Sequence, residues 1–258
     1  MSGATGLPRL PSLRLDGRRA LVTGAGRGIG LAAAAALAQS GAHVTLAARS
    51  LGEIEAGAAA IIAEGGSADV LCLDVGDPDI VREALAQREP YDILVNNAGT
   101  NRPMPFTEVT VEDFDVIMAL NVRAAFFVAQ AVASRLIAAG KPGSIIHMSS
   151  QMGHVGGARR TVYCASKHAL EGLTKAMAID LAPYRIRVNS ICPTFIETPM
   201  TKPFFDAPAF RADVLSKIKL GRVGQVEDLM GAIVLLAGDG ASLMTGSSML
   251  IDGGWTAD

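Results

Sequence analysis

The sequence predicts an α/β fold in which stacked βαβ units build a parallel sheet. Three observations carry this. Short apolar runs alternate with helical runs along most of the chain. A glycine-rich turn, Thr23-Gly24-Ala25-Gly26-Arg27-Gly28-Ile29-Gly30, separates a short apolar run from an alanine-rich one. Glycines at Gly41, Gly65-Gly66, Gly140 and Gly238 fall where the helical runs should stop.

The elements follow in order. Residues 1–12 are interrupted by Gly and Pro and read as a flexible tail ahead of one domain, residues 13–258. The first strand is expected at 19–22, and the run 28–39 after the glycine turn is a strong helix former. Further strands are expected at 43–47, 67–73, 93–95, 144–148, 187–191 and 248–251. Helices are expected near 51–63, 78–87, 111–138, 162–182 and 225–237. No internal repeat, low-complexity linker or break in composition divides the chain. Residues 193–220 depart from the alternation: they are rich in Pro and Phe and have no clean period. Such an insert is either a lid or a surface loop, and Phe195, Phe204, Phe205 and Phe210 favour packing, hence a substrate lid.

Composition narrows the function. The 258 residues are 50% hydrophobic and 19% charged, with a formal net charge of −2, which argues against a nucleic-acid or polyanion partner. No apolar run reaches the roughly 18 residues expected of a membrane span, and the first residues lack the apolar stretch of a signal peptide. Cys72, Cys164 and Cys192 are odd in number and have no metal-ligand spacing, so they fit free thiols in a reducing cytoplasm and no metal site is expected. Cys164 adjoins Tyr163 but fits a small packing residue on a helix.

The chemistry concentrates around Tyr163-Cys164-Ala165-Ser166-Lys167, with Ser150 thirteen positions before the tyrosine. Tyr163 and Lys167 are four residues apart and share one face of a helix. A phenol titrates near ~10, and an ammonium beside it favours the phenolate. A serine hydroxyl brought next to that phenol could hold a substrate oxygen, so the three groups could move a proton to or from a carbonyl/alcohol pair. That half-reaction needs a hydride partner. The glycine turn offers a place for one, because its backbone can approach a pyrophosphate and the following helix offers free N–H groups to the phosphates. The same glycine pattern also fits a tight turn with no ligand.

These residues carry a resemblance over residues 15–255. The chain resembles the short-chain dehydrogenase/reductase family in the glycine turn and in Asp74-Val75, Asn96-Asn97-Ala98-Gly99, Asn121-Val122, Ser149-Ser150 and Tyr163-x-x-x-Lys167. Arg187-Val188-Asn189, Pro193 through Thr198 and Ile251-Asp252-Gly253-Gly254 complete the set. The resemblance implies a single Rossmann-type domain, a three-layer αβα sandwich with a seven-stranded parallel sheet, and commonly a homotetramer. It implies Tyr163 as acid/base, Lys167 as the group that lowers its pKa and holds the nicotinamide ribose, and Ser150, rather than the neighbouring Ser149, as the holder of the substrate oxygen. Asn121 would keep a proton-relay water in place.

Around the cofactor, the resemblance implies Gly24, Gly28, Ile29 and Gly30 at the phosphates and Asp74 with Val75 at the adenine. Asn97, Ala98 and Gly99 would line the adenosine ribose and pyrophosphate, and Pro193, Ile196 and Thr198 would lie at the carboxamide and phosphates. The family usually has Pro-Gly where this chain has Pro193-Thr194. Singly, Asn96 and Asn97 also fit a turn after a strand, Asp74 a helix cap, and Asn121 a locally satisfied helix residue. Asp252-Gly253-Gly254 reads as a structural turn near a subunit contact.

The second strand ends in Thr45-Leu46-Ala47-Ala48-Arg49-Ser50, with no acid at its tip. Arg49, with Arg27 in the glycine turn, suits a 2′-phosphate, which favours NADP(H) over NAD(H). For the substrate, Arg102, Gln151, His154, Arg159 and Arg160 would face the pocket in this architecture, or else be surface charges or subunit salt bridges. Gly99-Thr100-Asn101-Arg102 resembles gluconate 5-dehydrogenase-like members, so a sugar acid, keto acid or polyol is expected, with Arg102 and His154 as contacts. A 3-oxoacyl-(acyl-carrier-protein) reductase shares every motif above. A non-catalytic dinucleotide-binding regulator is the remote alternative.

Overall fold

The computed structural model describes residues 7–199 and 201–257, with only the backbone at Phe204. Of the expected tail, residues 1–6 lie outside the described residues. Residues 7–12 are exposed, and the chain joins the core at Leu15, which is buried.

Seven parallel strands form one sheet. They are β1 (Arg19–Thr23), β2 (His43–Ala48), β3 (Ser67–Cys72), β4 (Ile93–Asn96), β5 (Gly143–Met148), β6 (Ile186–Pro193) and β7 (Ser248–Ile251), in the order β3-β2-β1-β4-β5-β6-β7. The helices between them are α1 (Gly28–Gln39), α2 (Leu51–Ala63), α3 (Pro78–Ala86), α4 (Val111–Met118), α5 (Ala125–Ala138), α6 (Thr161–Leu181), α7 (Lys202–Phe205), α8 (Pro208–Lys217) and α9 (Glu227–Ala237). The strand order reverses between β1 and β4. At that switch point the strands' C-terminal ends leave a crevice for a ligand.

Period-two alternation sends strand residues to two cores. Ala20, Val22, Val44, Leu46 and Val95 face a layer made by Leu37 of α1, Ile54 of α2 and Ile233 of α9. Leu21, Leu94, Ile145 and Val188 face Leu85 of α3, Val128 and Leu136 of α5 and Ala178 of α6. Each fully buried large side chain contributes about 1.5–3 kcal/mol. Local chemistry sets the boundaries. The Asp77 carboxylate accepts from the Asp79 and Ile80 N–H groups ahead of Pro78 in α3, and Thr110 accepts from the Asp113 N–H at the start of α4.

Two expectations are corrected. First, the helical stretch Val111–Ala138 has 28 residues with a mean hydropathy of 1.8 in its most apolar window, long and apolar enough to cross a membrane by length and composition. Ile117, Ala124, Val128, Val132 and Leu136 along it are buried in the core, which explains the apolar character. Second, the irregular reading of 193–220 misses α7 and α8, each of which has a proline in its first turn (Pro203, Pro208).

Candidate active site

Ser150 lies two residues beyond the end of β5, in an extended conformation, and is buried. Its hydroxyl donates to Gln151 Oε1 at 3.1 Å and accepts from the Met152 N–H at 3.1 Å. Tyr163 stands in the first turn of α6, with its phenol in hydrogen-bonding reach of Ser150. Lys167, one turn further, is buried and donates from Nζ to the Met148 carbonyl at 2.8 Å. Its ammonium lies 5.6 Å from the centroid of the Tyr163 ring. The three residues therefore converge where β5 meets α6.

The electrostatics differ from the expectation that Lys167 pulls the phenol down. Burial pushes the Tyr163 phenol above its ordinary value, and the Ser150 hydrogen bond and the Arg160 charge only partly oppose this. Lys167 itself falls to about 8, because burial outweighs the attraction of the Glu171 carboxylate. Its ammonium is held beside the ring, on the Met148 carbonyl.

Asn121 lies in a π-helical turn, Ala119–Ala124, between α4 and α5. Its amide donates to the Thr100 carbonyl at 2.9 Å and Ser166 Oγ at 3.0 Å, and its carbonyl accepts from the Thr100 N–H at 2.8 Å. Ser166 in turn donates to the Tyr163 carbonyl at 2.7 Å, so Asn121 clamps the loop after β4 to the start of α6 from behind the cleft wall.

A cleft of about 420 Å³ opens beside Ser150, Tyr163 and Lys167 and runs over the sheet's switch point. Its floor is the glycine turn, with Gly24, Arg27, Gly28, Ile29 and Gly30 on its lining. Thr23 organises this floor: its hydroxyl accepts from the Asn97 and Ala98 N–H groups at 3.0 and 3.1 Å. Asn97 Nδ2 answers by donating to the Thr23 and Gly24 carbonyls at 3.0 and 3.2 Å. Thr23 was not singled out in the sequence, although a hydroxyl at a strand end beside a glycine turn is the signal for such a clamp.

Asp74, Val75, Ala98, Gly99, Pro193, Ile196 and Thr198 also line the cleft. Asp74 accepts from the Gly76 N–H at 2.9 Å, and the cap of α3 is Asp77 instead. Arg49 lines the mouth, and among the described residues its guanidinium has no partner. Arg27 is paired at 3.3 Å with Glu53, an acid that α2 places beside the glycine turn.

Both expected substrate contacts fall off the cleft. Arg102 is held by Asp113 at 2.7 Å, because α4 brings that carboxylate alongside. His154 turns behind Ser150, its Nε2 3.4 Å from Cys192 Sγ and 3.6 Å from a Glu171 oxygen. Glu171 is buried but stays below its usual range, since Ser190, Ser248 and Cys192 donate to it. Cys192 beside it is pushed up to about 12 by burial and by that carboxylate. Of the two arginines before α6, Arg159 is exposed and Arg160 lines the cleft.

A family model described as enoyl-(acyl carrier protein) reductase matches residues 24–256. The chain is 41% identical to the L-xylulose reductase of Bos taurus, over 95% of this chain and 99% of that protein. It is 39% identical to the gluconate 5-dehydrogenase of Gluconobacter oxydans, over 94% and 96%. Among solved structures, a gluconate 5-dehydrogenase from Burkholderia cenocepacia in complex with NADP and tartrate superposes with a TM-score of 0.93 at 38% identity, covering 96% of this chain and 99% of that one. A short-chain type dehydrogenase/reductase from Mycobacterium marinum matches with a TM-score of 0.91 at 40% identity, over 95% and 98%. With the glycine turn, the Ser150–Tyr163–Lys167 convergence and the seven-stranded parallel sheet already in view, these matches show that the chain belongs to the short-chain dehydrogenase/reductase family.

Proposed function

We propose that the protein is an NADP(H)-dependent oxidoreductase interconverting a secondary alcohol and a ketone on a sugar-type substrate: a sugar acid, keto acid or polyol. The carrying observation is the Ser150 hydroxyl in reach of the Tyr163 phenol on the wall of a cleft floored by the glycine turn. The relatives support the substrate class, being a ketose reductase and a gluconate dehydrogenase by name.

The floor fits a dinucleotide on its own geometry. A Cβ at Gly30 would meet the Gly24 carbonyl oxygen at 2.1 Å, and one at Gly24 would meet Ala98 Cα at 3.0 Å, so bare backbone lines the turn. In this reading Gly24, Gly28, Ile29 and Gly30 hold the pyrophosphate, Asp74 and Val75 the adenine, and Asn97, Ala98 and Gly99 the adenosine ribose. Lys167 takes the nicotinamide ribose, while Pro193, Ile196 and Thr198 flank the carboxamide. Arg49, helped by Arg27, takes the 2′-phosphate, and solved relatives that hold NADP support that choice.

Bound along this cleft, a nicotinamide cofactor would supply or accept the hydride. Ser150 holds the substrate oxygen. Tyr163 donates its proton to that oxygen in reduction and accepts one in oxidation. Asn121 supports the relay by fixing Thr100 and Ser166.

Residues 193–220 act as the substrate lid of a single domain. The exposed apolar residues Val111, Phe114, Phe126 and Leu250 suit assembly into a homotetramer, and three free thiols suit the cytoplasm. Purified protein should reduce NADP⁺ with sugar acids or polyols. Turnover confined to 3-oxoacyl thioesters with NADPH would replace the sugar reading with a carrier-protein one.

A further inference from the structure

Arg160 stands on the same cleft wall as Ser150 and Tyr163, three positions before the tyrosine, and the proton chemistry makes no use of it. Its guanidinium carbon lies 5.2 Å from the Phe195 ring centroid and 5.9 Å from that of Phe210. The two rings meet edge-on at 5.6 Å, so the guanidinium is flanked by aromatic surface from the 193–220 segment. Among the described residues no carboxylate pairs with it, whereas Arg27, Arg102 and Arg222 are each paired with an acid. Burial lowers its pKa, with the nearby Tyr163 opposing that shift.

The local backbone separates this arginine from its neighbour. Arg159 adopts a left-handed φ of 60°, a conformation unfavourable for a residue with a side chain. Its carbonyl accepts from the Met104 N–H at 2.9 Å. The kink leaves Arg159 exposed and sets Arg160 as the last residue before α6, on the cleft wall. A half-buried cation without an acid has lost hydration and gained no counter-charge. A carboxylate fits it best, because two oxygens match the planar fork and are favoured by its charge. A hydroxyl offers one neutral acceptor.

We propose that Arg160 selects substrate charge: it binds a terminal carboxylate of the substrate while Ser150 and Tyr163 hold the carbon being oxidised or reduced. The protein then prefers aldonates and keto-aldonates to polyols and ketoses. This deepens, and rests on, the sugar-type reading above.

D-Gluconate and D-sorbitol form the matched pair, differing only in a carboxylate against a hydroxymethyl group. With NADP⁺, the wild type should favour gluconate in kcat/KM. Arg160→Gln should cut the gluconate-to-sorbitol ratio about a hundredfold, chiefly through KM, and Arg160→Lys should restore part of it. Calorimetry of tartrate with the NADP⁺ complex should show binding to wild type and none to Arg160→Gln, with unfolding temperatures confirming that both are folded. An unmoved ratio, a wild type that prefers sorbitol, or better turnover of sorbitol phosphate than of gluconate would each overturn the assignment. A wild type that oxidises neither sugar would sink the sugar-type reading itself. Gluconate and tartrate binding would then decide the Arg160 inference separately, with binding unchanged in Arg160→Gln overturning it.

Discussion

Lys167 lies one helical turn beyond Tyr163, with its ammonium 5.6 Å from the centre of the tyrosine ring and anchored on the Met148 carbonyl. The pair therefore begins from an uncharged phenol and an ammonium that gives up its proton more readily than an exposed lysine, and each half of that statement can be measured.

The lysine half appears in stability against pH. Its folded pKa of about 8 lies below the ordinary 10.5. Below about 8 both folded and unfolded chains carry the proton, and the cost of burying the charge is fully present. Between about 8 and 10.5 the unfolded chain binds more protons, so this group's contribution makes stability rise with pH. Lys167→Met removes the contribution. Denaturant unfolding of the free protein should show wild type gaining on the variant across that window, by an amount on the order of 3 kcal/mol. A constant difference would mean that the amine titrates normally.

The tyrosine half separates proton transfer from binding. Tyr163→Phe keeps the ring that lines the cleft and removes the proton. It should lower kcat/KM about 10²- to 10⁴-fold and leave NADPH affinity within a small factor. In the protein without cofactor, the tyrosinate absorbance lost in this variant should belong to a phenol titrating above its ordinary 10.0. Retained turnover would take the acid/base role away from Tyr163.

Much of the frame was legible because its signals are local. Alternating runs and stop glycines place all seven strands, with β1 expected at 19–22 and found at Arg19–Thr23. The four-residue spacing of Tyr163 and Lys167 sets them on one helical face, and the sheet then brings Ser150 to them. What stayed illegible depends on partners distant in sequence. Arg102 is turned by Asp113, and His154, in the loop after β5, by Cys192 on β6, 38 positions away. The sequence motifs around these residues do not specify such side-chain directions. Helices α7 and α8 were hidden because Val214 is the only buried residue of α8 among those described, which leaves no periodic apolar face to read.

Arg49 should decide between the two nicotinamide cofactors. Its guanidinium has no partner among the described residues, while Arg27 is shared with Glu53. Arg49→Glu should weaken NADPH roughly ten- to hundredfold, the worth of a charge-assisted contact, and NADH much less. Fluorescence titration of both reduced cofactors reads this directly, and an equal loss for the two would remove the 2′-phosphate assignment. Glu53→Gln frees Arg27 from its acid and should tighten NADPH selectively.

The glycine floor gives the sharpest steric prediction. A Cβ at Gly30 would lie 2.1 Å from the Gly24 carbonyl oxygen and 2.6 Å from Asn97 Nδ2, and Asn97 cannot withdraw without releasing the Thr23 and Gly24 carbonyls that it joins. Gly30→Ala should therefore cost about 1–3 kcal/mol or more in unfolding free energy and weaken cofactor binding along with it. The control is Gly231→Ala on α9, where a Cβ meets nothing within 4 Å. There the alanine should be neutral or stabilising by about 0.5–1 kcal/mol, because it narrows the unfolded ensemble and favours helix. A Gly30→Ala protein as stable as Gly231→Ala, with NADPH affinity intact, would mean that the turn after β1 can open, and the backbone cradle would no longer account for the cofactor site.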